Sequence, residues 1–197
     1  MAAGRQLLEE EGVEALTMRR LADRVGIRAP SLYKHLPDKA ALEAAIIATG
    51  LEEAAAAFEA AVGGAVDGRS GEAGDGEAEG PGEAAAGAAH PEGDGAGKGA
   101  GGGLAALAAA YRRFALEHPH LYRLMNNGPL PREHLPPGLE ERTAAPVLRV
   151  AGSQARARAV WAFTHGMVML ELDHRFPPPD ADLDAAWQAG IAAFQQN

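Results

Sequence analysis

Six basic side chains, Arg19, Arg20, Arg24, Arg28, Lys34 and Lys39, fall close together and are interleaved with Tyr33 and His35. Charged and planar groups at that density suit phosphate oxygens and base edges. Two other groupings could hold a metal. Glu171-Leu172-Asp173-His174 is a Glu-x-x-His unit of the kind found in di-iron helical bundles. Such bundles need two such units plus two further glutamates, all projecting inward from facing helices. His118 and His120 are separated by Pro119, which reads as a helix stop rather than a ligand pair. The sequence contains no cysteine, which excludes thiol nucleophiles, disulfide scaffolds and cysteine zinc sites. There is no Gly-x-Ser-x-Gly, and the glycine-rich stretch lacks the Lys-Ser/Thr ending of a phosphate loop. No catalytic residue, metal or cofactor is therefore expected, and a helical metal-binding enzyme is a remote alternative.

The net charge of −9 looks wrong for a nucleic-acid binder until it is located. Residues 63–103 carry eight acidic and two basic side chains and supply six of the nine excess negative charges. Residues 1–47 hold seven bases and seven acids, but four acids precede Thr17 and six bases follow it. The charge is polarised within that segment, so the net value hides a basic face.

The elements that must position these groups read as helices throughout. The 197 residues suffice for one or two domains, and 47% are hydrophobic but only 5% aromatic, with alanine filling much of the apolar count. No run of about 18 apolar residues exists to cross a membrane, and the N-terminus lacks the basic start and apolar run of a secretory signal. A cytoplasmic protein is the default expectation. Leu7 and Leu8 belong to a short helix stopped by Gly12; Thr17 is a natural N-cap before Met18–Val25; Gly26 ends that helix. Ala29-Pro30 opens another short helix running through Lys34. Asp38 can cap a long helix from Lys39 to about Val62. After the tract come Leu104–Glu117, His120–Asn126, Gly138–Val150 with Pro146 inside, Ser153–Phe176, and Leu183–Phe194 capped by Asp180. No period-two strand pattern competes, so the expected fold is all-α. Residues 63–103 hold sixteen of the 25 glycines and almost no large apolar side chain, which predicts a flexible disordered insertion.

A capped helix, a turn at Gly26 and a second short helix make a helix-turn-helix, with Leu16, Leu21, Val25 and Leu32 holding it together and Arg19, Arg28, Lys34 and Lys39 outward. Residues 12–42, GVEALTMRRLADRVGIRAPSLYKHLPDKAAL, closely resemble the DNA-binding domain of the TetR family of bacterial transcriptional regulators. The hallmarks are Gly12, Thr17, Leu21-Ala22, Val25-Gly26-Ile27, Leu32-Tyr33-Lys34-His35 and Asp38-Lys39 followed by Leu42. The resemblance implies that Thr17, Met18 and Arg19 contact the operator and that Ala29, Pro30 and Ser31 approach base edges. It further implies that Tyr33, Lys34 and His35 meet the backbone and Lys39 a phosphate. Arg28 stands where many members have a small or polar residue, and reads equally as a guanine contact or a phosphate contact. Arg20 and Arg24 are as readily solvated charges. The first helix is shorter than is usual in the family, so either it is short here or the true start lies upstream.

The C-terminal half carries a second resemblance. Tyr111-Arg112-Arg113-Phe114-Ala115 through His118-Pro119, Leu121-Tyr122-Arg123-Leu124-Met125, and Trp161-Ala162-Phe163-Thr164-His165-Gly166 resemble the TetR subgroup named for a Trp-His-Gly signature. The helix around Trp161 is apolar nearly all round and must be buried on two sides. Trp161, His165, Val168 and Leu172 share one stripe, and Val160, Phe163, Met167 and Leu170 another. His165 is either a hydrogen-bonded core histidine or part of an effector pocket with Tyr111, Phe114, Met125, Trp161 and Met169. Mostly apolar walls with few polar groups suit a small hydrophobic molecule. The resemblance implies that the last two helices form a four-helix dimer interface, with Phe163, Met167, Ala186, Trp187, Gly190, Ala193 and Phe194 as candidates; Trp187 reads equally as core.

These readings give a DNA-binding domain over residues 1–47 and a ligand-binding and dimerisation domain over 48–197 with the insertion inside it. The implied protein is a homodimeric regulator, in the usual case a repressor, that binds a palindromic double-stranded operator and is released by a small apolar effector. It has no membrane partner. The alternative is a DNA-binding dimer without a small-molecule effector, controlled by a protein partner or by abundance.

Overall fold

The computed structural model describes residues 1–67, 96–177 and 182–196, and among them the chain is all-α, without a strand. Helix α1 (Ala2–Glu11) is followed by a short 3₁₀ turn and by α2 (Met18–Arg24), α3 (Ala29–Leu32) and α4 (Lys39–Asp67). Helices α5 (Ala96–Glu117), α6 (Pro119–Asn126), α7 (Leu139–Ala151), α8 (Gln154–Leu172) and α9 (Leu183–Ala193) follow. The glycine-rich tract begins and ends in helix: α4 runs through Gly63 and Gly64, and α5 starts at Ala96. Residues 68–95, the middle of the expected insertion, lie outside the described residues, as does Asp180, the expected cap of the last helix.

Local chemistry accounts for the boundaries. The Thr17 hydroxyl accepts the Arg20 N–H at 3.3 Å, and Asp38 Oδ1 accepts the Ala41 N–H at 2.8 Å, each satisfying an otherwise orphaned donor of a first turn. Helix α2 closes through Ile27 N–H to the Ala22 carbonyl and Gly26 N–H to the Asp23 carbonyl, with Gly26 at φ +70°. That left-handed residue turns the chain from α2 into α3. Helix α8 ends four residues before the expected Phe176. The same closure forms there, Arg175 N–H to the Leu170 carbonyl and His174 N–H to the Glu171 carbonyl, with His174 rather than a glycine at φ +50°.

One continuous core joins both halves. Leu7, Leu8, Leu16, Leu21 and Leu32 bury the small N-terminal unit against Leu42 and Ile46 of α4. Val25, expected in that core, is instead 42% exposed, because it follows the last turn of α2 and points away with Ile27. Further along, α4 packs on α5, α6 and α7. Close approach of α4 and α6 depends on Gly50, where an added Cβ would sit 2.7 Å from Met125 Sδ and 2.9 Å from Leu121 Cδ2. In α8 the core stripe is Val160, Thr164 and Val168, which cuts across the two stripes expected from the sequence. Thr164 is tolerated there because its hydroxyl donates to the Val160 carbonyl at 3.0 Å.

Candidate nucleic-acid interface and ligand cavity

The helix-turn-helix sorts its cations by where its acids lie. Glu10 and Glu11 at the end of α1 take Arg24 and Arg20 respectively, so both arginines are held against the domain itself. Arg19, Arg28 and Lys34 are exposed and have no ion-pair partner among the described residues, and Lys39 is exposed with Glu43 at 3.2 Å one turn along. Pro30, Ser31, Tyr33 and His35 are exposed beside them, Tyr33 to 49%; Thr17 and Ala29 are half-buried. The result is a surface of unpaired positive charge around α3, with a planar ring in its midst. Met18 is the exception among the expected contacts. It is only 7% exposed and packs in the core, since the first residue after the Thr17 cap faces inward. Helix α3 also stops at Leu32, and Tyr33, Lys34 and His35 continue as a turn closed by His35 N–H to the Leu32 carbonyl.

In the larger half a cavity of about 720 Å³ opens between α4, α5, α6, α7 and α8. That volume lies within the usual range for small-molecule sites. Five of the six residues expected at a pocket line it: Tyr111, Phe114, Met125, Trp161 and His165. Met169 does not; it lies one turn past His165, beyond the cavity, and packs against the core. The aromatic wall is ordered ring by ring. Phe58 stacks on Tyr111 with centroids 5.5 Å apart, Tyr111 meets Tyr122 edge-on at 5.8 Å, and His165 lies 5.8 Å from Tyr122. Trp161, 52% exposed, stands at the rim.

Tyr122 is the principal residue the sequence reading left out of the pocket. Its hydroxyl lies 2.9 Å from the Tyr111 hydroxyl and 2.7 Å from His165 Nδ1. Its position one helical turn before Met125 is the signal the sequence offers. Burial pushes the pKa values of both tyrosine hydroxyls up and that of His165 down, so all three are neutral at pH 7. Leu51, Phe58, Thr143 and Val147 complete the wall, and Arg132, Glu140, Glu141 and Arg158 line the cavity as well.

The residues expected between subunits are used largely within the chain. Phe163 meets Trp187 edge-on at 5.9 Å and Phe194 at 5.9 Å, and a Cβ on Gly190 would fall 2.0 Å from Phe163 Cζ. Gly190 is therefore the seat for that ring, and Trp187 is buried core. Ala186, Ala193 and Leu170 stay exposed, and Met167 half-buried. Glu171, half of the Glu-x-x-His unit, pairs with Arg112 at 2.7 Å and accepts from Trp187 Nε1 at 3.3 Å, while His174 lies past the helix end. No group of three metal-ligating side chains occurs among the described residues, and no helix among them is long and apolar enough to cross a membrane.

Comparison with known proteins places both halves. Residues 1–46 match the family described as bacterial regulatory proteins, tetR family, and residues 104–194 match the tetracyclin repressor-like C-terminal domain. The tetracycline repressor protein class G of Vibrio anguillarum is 48% identical over 42 residues, 21% of this chain and 20% of that protein. The class C protein of Escherichia coli is 51% identical over 37 residues, 19% of this chain and 17% of its own length. The aligned segments thus span about a fifth of these relatives. Among solved structures, a protein of unknown function from Rhodococcus shares the fold at a TM-score of 0.65 and 24% identity, covering 98% of this chain and 90% of that one. A TetR variant from Acinetobacter baumannii in complex with minocycline gives 0.58 and 20%, covering 98% and 90%. A TetR/AcrR family regulator from Thermobifida fusca gives 0.56 and 17%, covering 100% and 94%. A helix-turn-helix with an unpaired basic face, an all-helical second half and family matches to both halves lead to one assignment: this chain belongs to the TetR family of DNA-binding transcriptional regulators.

Proposed function

We propose that the protein is an effector-released repressor that acts as a homodimer on a palindromic operator in the cytoplasm. The observation that carries this reading is the pairing of an unpaired basic face at α3 with an aromatic-lined cavity of about 720 Å³ in the same chain. Residues 1–47 form the DNA-binding domain and the remainder the ligand-binding and dimerisation domain, of the Trp-His-Gly type by Trp161, His165 and Gly166. Arg19, Arg28, Pro30, Ser31, Tyr33, Lys34, His35 and Lys39 are the side chains offered to DNA. Thr17 and Ala29 contribute from half-buried positions. Met18 contributes through its backbone, its side chain being in the core. Two copies of α3 enter successive major grooves roughly 34–36 Å apart.

A small apolar molecule in the cavity changes that spacing. Helix α4 supplies Leu51 and Phe58 to the cavity and Lys39 to the DNA side, and so links the two. Helix α6 is a second link: Tyr122 and Met125 line the cavity, His118 lies 3.8 Å from Glu9 of α1, and the His120 ring lies beside Gly12. The effector shifts the population only by its differential affinity for the two states. The cavity favours this reading over a dimer with no effector, which would have a closed, packed regulatory domain.

The test is release of protein from its own upstream DNA by a panel of small apolar compounds, followed by anisotropy, with Ala157→Phe as control. Ala157 lines the cavity, far from the basic face. Release by one compound class, lost in Ala157→Phe while DNA affinity is kept, is the expected outcome. Release that ignores the filled cavity, or none from any compound, would move control of the regulator elsewhere.

A further inference from the structure

The direction of the hydrogen bonds behind the cavity wall is set by where their protons can go. Tyr111, Tyr122 and His165 form a chain: Oη to Oη at 2.9 Å, then Oη to Nδ1 at 2.7 Å. Each hydroxyl has one proton, and a neutral imidazole has one. If Nδ1 held the imidazole proton and donated it to Tyr122, Tyr122 would have to donate to Tyr111. The Tyr111 proton would then lack a partner at a residue only 8% exposed. In the opposite direction every proton but one is placed. Tyr111 donates to Tyr122, Tyr122 donates to Nδ1, and the remaining proton sits on Nε2 of a half-buried residue that lines the cavity.

Gln154 and the Trp161 indole stand at the exposed rim, and most of the other polar groups are committed or balanced. The Thr143 hydroxyl lies within bonding distance of the Leu139 and Leu51 carbonyls, and the Asn126 amide donates to the Tyr122 carbonyl. Arg132 is paired bidentately with Glu140, and Arg158 and Glu141 offset each other in sign. The lining charges therefore select for neither an anion nor a cation. Along the inner aromatic wall, away from the exposed Gln154 and Trp161 at the rim, the Nε2–H of His165 is the donor that the Tyr111–Tyr122 chain fixes.

We infer that His165 is the specificity-determining residue of the cavity, its Nε2–H fixed as a donor by Tyr111 and Tyr122. The ligand it takes is a neutral, largely apolar molecule carrying one acceptor oxygen, a ketone, ester or ether, rather than an amine. The ligand class rests on the effector reading above; the proton arrangement does not. Long-range proton–nitrogen correlation NMR of the full chain, with His165→Gln used to assign the signal, reads the tautomer directly. Protonated Nε2 and bare Nδ1 are expected in the wild type, with that fixed state lost in Tyr122→Phe. The reverse tautomer, or an imidazolium at neutral pH, overturns the inference.

Calorimetry with three probes of one shape tests the ligand class: 2-acetylnaphthalene, 2-isopropenylnaphthalene and 2-(1-aminoethyl)naphthalene. The ketone should bind about three- to tenfold more tightly than the alkene, and the amine least. His165→Phe should abolish that preference, and His165→Gln, which keeps a donor, should restore part of it. Equal binding of ketone and alkene overturns the specificity role while leaving the cavity as a binding site. Binding by none of the three removes the effector reading and the ligand class together.

Discussion

Lys39 opens α4 with an exposed ammonium whose partner, Glu43, is half-buried one turn along. Such a pair contributes little, so a phosphate can take its place. Lys39→Ala should weaken binding to all sequences alike and reduce the slope of log affinity against log salt by about one; an unchanged slope would remove the phosphate contact. Arg28, unpaired at the entrance to α3, has the length to reach guanine in the major groove. Arg28→Ala should relax preference at one base position per half-site by about 1–3 kcal/mol, and equal loss on every sequence would make it a phosphate contact. His165 gives a pH signature. Burial holds its pKa below the ordinary 6.5, so the folded protein refuses a proton that the unfolded chain accepts. Its contribution is intact above pH 6.5 and is lost as pH falls below that value. The thermal midpoint of His165→Gln should fall less steeply below pH 6.5 than that of the wild type, and parallel curves would contradict the burial argument. At this scale Tyr111, Phe114, Trp161 and His165 could be grouped from the sequence because they are large groups on helical spacings, whereas most of the cavity lining comes from α4, α6 and α7 through tertiary packing. The inward turn of Met18 is not legible in the sequence, since a motif shows that a position matters without showing which way its side chain turns.

Among elements, the α8–α9 pair shows what a missing side chain does. Phe163 occupies the space a Cβ would need at Gly190, so alanine there must displace the ring. Overpacking costs about 1–3 kcal/mol, while alanine returns about 1 kcal/mol of helix propensity. The first should win with three ring atoms closer than 3 Å. Gly190→Ala should therefore lower the thermal midpoint, and less so in a Phe163→Leu background; a gain in stability would show that the ring moves freely. Helix starts were legible because Thr17, Ser153 and Pro30 announce them through donors they satisfy or lack. The end of α8 was not, because His174 adopts the left-handed conformation that a glycine would have signalled. Gly63, Gly64 and Gly103 fall in the expected insertion although they are helical. Gly103 is kept small by packing, its absent Cβ lying 3.0 Å from Val150 Cγ1.

For the whole molecule, exposed Leu170, Ala186 and Ala193 and half-buried Met167 are apolar positions on α8 and α9 that the proposed dimer would cover. Leu170→Glu should shift sedimentation toward monomer and cost operator affinity, whereas a retained dimer would move the contact off these positions. Two helices, α4 and α6, reach both halves, and only one of them is legible from the chain. Chain continuity alone makes α4 span them, but α6 reaches both α1 and the cavity through contacts between residues far apart in sequence, which no local pattern records. The central claim is that the basic face at α3 reads DNA in a sequence-specific way. Fluorescence anisotropy of the full chain on duplex DNA from its own upstream region, titrated with salt, tests it most directly. Saturable binding to one palindromic segment, falling steeply as salt rises, is the predicted result. Weak binding that is indifferent to sequence on every upstream fragment would contradict it.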